Sequence, residues 1–240
     1  PQTTYYTWYT NAADTGSCGR LELIESPDRS WSKYQYDESG RESVVLTPFK
    51  NAGPDSTTNE CRVSRSCYAG DPVLSSLSFA WDVTFTKDQG PRLVADEEAG
   101  SEVSRTYYAY FADCAVTKRC RSAGASYDDT NNLVTTTYYC TNGAGNGRVQ
   151  RIERPDGTMS TFDYSYDGVL EQLTITEDAG AGDDAVTNGT RTVSVRNSAD
   201  QIVSVETRDI ASGITLSAQT NTYDNRARLA TTTNSISWAA

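Results

Sequence analysis

Carboxylates are the residues here whose numbers and clustering come closest to a reactive constellation. The 240-residue sequence has no histidine. That removes His general bases, His-activated nucleophiles and His metal ligands. A cysteine nucleophile would also lack its usual partner. Three acidic clusters remain: Asp96-Glu97-Glu98, Glu177-Asp178 and Asp183-Asp184. Each stands among Gly and Ala, which predicts loops. Oxygen-rich loops suit a hard cation, so Asp96, Glu97, Glu98, Asp183 and Asp184 are candidate calcium ligands. None has EF-hand spacing, and the plainer reading is a solvated acidic turn. A glycosidase-like carboxylate pair is weaker still. The expectation is no catalytic residue and no organic cofactor.

Aromatic and thiol side chains offer binding and cross-linking instead. Trp8, Trp31, Trp81 and Trp238 have rings that stack on sugars, although such rings more often pack in cores and interfaces. Asn188-Gly189-Thr190 is an N-glycosylation sequon expected in a loop. Thr135-Thr136-Thr137 and Thr231-Thr232-Thr233 suit O-glycosylation, and equally suit strands. Six cysteines occur: Cys18, Cys61, Cys67, Cys114, Cys120 and Cys140. No C-x-x-C pair is present, so zinc is poorly supported. The even count reads as disulfides formed in an oxidising compartment. Spacing leaves the pairing open among 15 connectivities. Cys61 with Cys67, Cys114 with Cys140 and Cys114 with Cys120 are the nearest options, and a bond between copies is another.

Bulk properties narrow the partners. The chain carries 32 acidic and 21 basic residues, a formal charge of −11. That field disfavours a phosphate backbone, so nucleic acid is not expected. Apolar residues make up 37% of the chain, and no run is long enough to span a membrane. The sequence begins at Pro1 rather than Met, which leaves open a removed leader or one piece of a longer polypeptide.

What positions these residues is a repeat. "PDRSWSKYQYD" from Pro27 parallels "PDGTMSTFDYSYD" from Pro155, 128 residues later; Arg20 and Arg148 are separated by the same distance. Tyr36 and Tyr166 are 130 apart, which suggests a two-residue insertion between the Pro-Asp turn and the tyrosine. The sequence therefore reads as two tandem units, 1–130 and 131–240. The second lacks counterparts of Phe111 through Leu133. Within a unit the period is two, as in a half-buried strand. Pro27-Asp28 and Pro155-Asp156-Gly157 mark turns, with Pro fixing φ at the second position. Tyr34 and Tyr36 share one strand face. Asp37-Glu38-Ser39-Gly40 is a turn, and Arg41 opens the returning strand. Thr190 to Arg196, a turn at Asn197 to Asp200, and Gln201 to Thr207 repeat the pattern, and Tyr223-Asp224-Asn225-Arg226-Ala227 is a third version. No segment shows the 3.6-residue period of a helix.

"KYQYDESGRE" resembles the tyrosine–aspartate (YD) repeat of the rearrangement-hotspot (Rhs-like) family. "FDYSYDGVLEQLT", with Tyr166 and Asp167, and "NTYDNRARLATTT", with Tyr223 and Asp224, resemble degenerate copies. The clear matches cover about a third of the chain. The resemblance implies β-hairpin strips wound into shells or spirals, in secreted or surface proteins that enclose toxins or serve adhesion. An Asp-Pro-x-Gly autoproteolysis core is absent: Asp71-Pro72 is followed by Val73 and Leu74.

The expected fold is all-β, a tandem antiparallel hairpin strip. Such a strip cannot bury its faces alone and must coil, stack or pair with another copy. The expected role is non-enzymatic, extracellular and structural: a fibre, appendage or sheath subunit that self-associates head to tail. The alternatives are a segment of a larger YD-repeat shell or adhesin, and a carbohydrate-binding module.

Overall fold

The computed structural model describes residues 3–75 and 90–236. The chain divides into two compact units, Pro1–Phe111 with Val116–Leu133, and Ala112–Ala115 with Val134–Ala240. Among the described residues the fold is all-β. Within each unit the strands follow one another in sheet order as in sequence, each paired hairpin being antiparallel.

The first unit contains β1 (Tyr5–Trp8), β2 (Leu21–Glu25), β3 (Trp31–Tyr36), β4 (Glu42–Pro48), β5 (Cys61–Cys67), β6 (Leu93–Glu98) and β7 (Ser101–Tyr110). β8 (Cys114–Arg119) and β9 (Leu133–Tyr139) carry the division between units. One helical turn, Pro72–Ser75, is too short to alter the class. This unit holds two buried clusters. Trp31, Val44, Leu46, Cys61 and Val63 form one, with the Trp31 indole N–H donating to the Ala52 carbonyl at 2.9 Å. Cys67, Leu74, Leu93, Tyr107 and Cys120 form the other. The first cluster takes alternate residues from adjacent strands, Val44 and Leu46 of β4 and Cys61 and Val63 of β5, as the two-residue period requires.

The second unit contains β10 (Val149–Glu153), β11 (Thr158–Asp167), β12 (Gln172–Ala181), β13 (Asn188–Arg196), β14 (Ile202–Asp209), β15 (Thr215–Tyr223) and β16 (Leu229–Ile236). Its strands are longer, but the apolar side chains it buries are few, Met159 and Val186 among the described residues. Ladder hydrogen bonds and cross-strand pairs such as Thr192 with Thr207 (3.3 Å) and Thr222 with Thr231 (2.6 Å) hold it.

The tight turns share one construction. Asp37 N–H donates to the Arg41 carbonyl and Gly40 N–H to the Asp37 carbonyl, both at 2.8 Å. Gly40 sits at φ +75°, in the left-handed region. In the equivalent position of the β15–β16 turn stands Ala227 at φ +59°, where a Cβ is strained.

Candidate functional site

The repeat motif builds a clamp across each of several hairpins. The Tyr36 hydroxyl, at the end of β3, donates to the carbonyl of Leu21, first residue of β2, at 2.9 Å. The Arg20 guanidinium lies over the same ring, 5.3 Å from its centre. Tyr68, just past β5, donates to Glu42, first residue of β4, at 2.9 Å, with Arg41 at 4.3 Å over its ring. Tyr164 donates to Val149 of β10 at 2.8 Å under Arg148 at 5.6 Å. Tyr110 reaches Pro91 at 3.5 Å, with Arg92 at 4.5 Å. Tyr223 donates to Ile202 of β14 at 2.8 Å, where Gln201 stands in place of the arginine. In four of these hairpins an arginine stands directly before a strand, and a tyrosine at or near the end of the next strand covers it; Gln201 takes the arginine's place in the fifth. A hydrogen bond from the tyrosine, joined in those four by a cation–π contact, pins the open end of the hairpin.

This arrangement corrects the spacing inferred from sequence. Tyr164, not Tyr166, occupies the place of Tyr36, so the 128-residue period holds through the clamp. The two extra residues lie beyond it. They extend β11 and leave Tyr166 exposed, while Asp167 accepts the Val169 and Leu170 amides in its own turn.

Asp37 ties the clamp to its turn. Its carboxylate accepts the backbone N–H groups of Ser39 and Arg41 at 2.9 and 2.8 Å, and Arg41 Nε at 2.6 Å. Burial disfavours the charge, but the Arg41 backbone and side-chain hydrogen bonds outweigh it and hold the carboxyl below its usual range. Asp224 repeats the scheme with the Arg226 and Arg228 amides at 2.9 Å and Arg228 Nε at 2.8 Å. The Arg228 side chain is the first cause of its lowered pKa. Asp28 and Asp156, which follow Pro27 and Pro155, cap their turns through Ser30 and Thr158 at 3.0 and 2.9 Å. Gly157 takes the left-handed position there at φ +79°, where Arg29 stands in the first unit at φ +69°.

The acidic clusters are used differently from the sequence expectation. Asp96, Glu97 and Glu98 are not a loop; they are the end of β6. Glu97 pairs with Arg65 at 2.8 Å, Glu98 with Arg62 at 2.9 Å, and Asp96 accepts from Ser104 at 2.6 Å. Asp178, in β12, forms a two-pronged pair with Arg191 at 2.7 Å. Asp183 and Asp184 are exposed between β12 and β13. Among the described residues no three or more His, Cys, Asp or Glu converge as a metal site. A cleft of about 480 Å³ on the second unit is lined by Tyr138, Arg151, Thr161, Asp178, Asp184 and Arg191. Its two arginines already pair with Glu153 and Asp178, at 2.6 and 2.7 Å.

All six cysteines carry free thiols. Two of the pairings suggested by spacing fail on geometry. Cys61 and Cys67 begin and end β5, and Cys114 and Cys120 flank β8 in the same way. Six residues of strand separate each pair by about 20 Å, against the ~7 Å that a disulfide spans. Burial pushes the Cys67 thiol up to about 11, with Asp71 adding to the effect. Cys114 and Cys140 lie near neighbouring strand ends, where Tyr139 N–H donates to the Asp113 carbonyl at 2.8 Å.

Trp31 is core, while Trp8 is 53% exposed; Trp81 and Trp238 lie outside the described residues. Asn188 is exposed as the first residue of β13 rather than in a loop.

Among the described residues β1, in the first unit, has β2 as its one neighbour, and β16, in the second, has β15. Every residue of both strands is exposed, including Tyr5, Tyr6, Trp8, Leu229 and Ile236.

No family model matches the chain, and no curated protein matches it. Among solved structures, a chain of the "Crystal Structure of TcdB2-TccC3-Cdc42" is similar at a TM-score of 0.39 and 14% identity, over 92% of this chain. This chain spans 11% of that one.

Proposed function

We propose that this chain is a non-enzymatic, extracellular structural module of YD-repeat type, whose β-strip lengthens by strand addition at its edges and so builds a surface fibre, appendage or sheath. The observation that carries this reading is the pair of edge strands. Among the described residues β1 and β16 are each unpaired along one edge, and exposed large apolar side chains stand along β1 (Tyr5, Tyr6 and Trp8) and at the two ends of β16 (Leu229 and Ile236), with Tyr5 65% and Ile236 64% exposed. Such edges are templates for another strand, and head-to-tail contacts that do not close produce filaments. The arginine–tyrosine clamps support a scaffolding role, since they spend the motif's polar groups on fixing hairpins. The absence of histidine and the internal pairing of Asp178, Glu97 and Glu98 support a role without catalysis. No helix among the described residues is long and apolar enough to cross a membrane.

Negative-stain electron microscopy of the untagged chain at micromolar concentration tests the reading. Filaments with an axial repeat of one subunit are expected. Dispersed single particles would contradict it and favour a segment of a larger YD-repeat shell or adhesin, whose neighbouring hairpins cover the same edges in cis.

A further inference from the structure

The hairpin β15–β16 copies β3–β4, and one part of the copy is missing. Adding 187 to Tyr36, Asp37, Arg41 and Glu42 gives Tyr223, Asp224, Arg228 and Leu229. The local register agrees as well. Tyr36 pairs with Glu42 after a bulge, and Tyr223 pairs with Leu229 after a bulge. Both arginines grip their turn aspartate through Nε, at 2.6 and 2.8 Å. Beyond β4, however, comes β5 and then Tyr68, whose ring covers Arg41 and whose hydroxyl binds the Glu42 carbonyl. Beyond β16 no strand follows among the described residues. Among the described residues no ring covers Arg228, whose side chain is 68% exposed, against 27% for Arg41. Among the described residues, Arg228 and the Leu229 carbonyl thus carry half of a clamp that is complete at their counterparts.

The missing half has a defined chemistry: an antiparallel strand followed directly by tyrosine. β1 has that form, since Trp8 is followed by Tyr9 as Cys67 is followed by Tyr68. In the register of β4 with β5, where Val44 faces Arg65, a second copy's β1 sets Tyr9 against Arg228 and Trp8 against Leu229. Trp8 and Leu229 are exposed apolar side chains, at 53% and 58%, and this register buries them against each other. Tyr9 now donates to the Tyr34 carbonyl of its own unit at 2.8 Å. Docking exchanges one neutral acceptor for another, a nearly even trade, and exchanges the edge-on contact of Tyr9 with Tyr36, 6.2 Å between ring centres, for the arginine contact.

We infer that β16 is a socket for the β1 strand of a second copy, closed by that copy's Tyr9 over Arg228 and on the Leu229 carbonyl. This rests on the strand-addition reading and names its joint. Sedimentation velocity of the full chain, alone and with two variants, tests it. Arg228→Ala blocks the socket, and Tyr9→Ala, which removes ring and hydroxyl together, blocks the plug, so each lowers association at least tenfold with an unchanged circular dichroism spectrum. Mixed in equal amounts, the two variants keep one competent joint and form dimers and nothing larger. If wild type and both variants polymerise alike, the socket is wrong while strand addition stands. If wild type stays monomeric, a labelled peptide of residues 3–10 decides. Binding that Arg228→Ala abolishes keeps the socket chemistry and removes the homopolymer, whereas no binding overturns both.

Discussion

The β3–β4 and β15–β16 hairpins carry the same turn, the same aspartate cap and the same leading arginine, yet one is core and the other is rim. In the first, Val44 and Leu46 are buried between Trp31, Cys61 and Val63. At the same steps of the second stand Thr231 and Thr233, both exposed. The threonines are held laterally instead; Thr231 shares a 2.6 Å hydrogen bond with Thr222. The difference shows that the turn motif specifies a hairpin whether or not an apolar layer covers it. What the cover decides is stability, and what the neighbouring strand decides is whether the clamp closes.

The largest contrast is expected in the layer. Leu46→Ala should cost about 2–5 kcal/mol through the cavity it leaves, whereas Thr233→Ala should stay within about 0.5 kcal/mol. Urea unfolding of each variant measures both, and equal losses would deny that the two hairpins differ in burial. Next come the left-handed turn residues. Gly40→Ala places a Cβ against the Arg20 guanidinium at φ +75°, so it should cost at least ~1 kcal/mol and disturb the Tyr36 clamp. Ala227→Gly relieves φ +59° and should raise stability by up to about 1 kcal/mol. Opposite signs in thermal melts are the expected result.

The smallest effect is acid sensitivity. Both turn aspartates have lowered folded pKa values. Their contribution is therefore complete above the unfolded value of about 3.9 and is lost as pH falls through the lower folded values. NMR titration of the two carboxyls checks this, and either one titrating above the ordinary value would contradict the cap.

Much of the fold was legible in the sequence because its signals are local. Asp37 to Gly40 and Asn197 to Asp200 announce turns, and Val193, Val195, Val203 and Val205 alternate as strands do. The clamp was not legible, because its arginine and tyrosine are 16 residues apart at Arg20 and Tyr36, 18 at Arg92 and Tyr110, and 27 at Arg41 and Tyr68. Loops of differing length hide a constant spatial pairing. Tyr166 drew attention through its aspartate neighbour, while Tyr164 does the clamping two residues earlier, since the same strand face repeats every second residue. Asp96 to Glu98 read as a loop by composition; Arg62, Arg65 and Ser104, supplied by adjacent strands, make them strand. In that cluster tertiary pairing overrides weak local preference.

Hydrogen exchange along β16, measured on the full chain from dilute to micromolar concentration, tests the central claim most directly. If this edge receives a strand from another copy, the outward-facing amides, alternate residues between Leu229 and Ile236, become protected as concentration rises, and Arg228→Ala abolishes the change. Exchange along β16 that stays fast and independent of concentration would contradict the account.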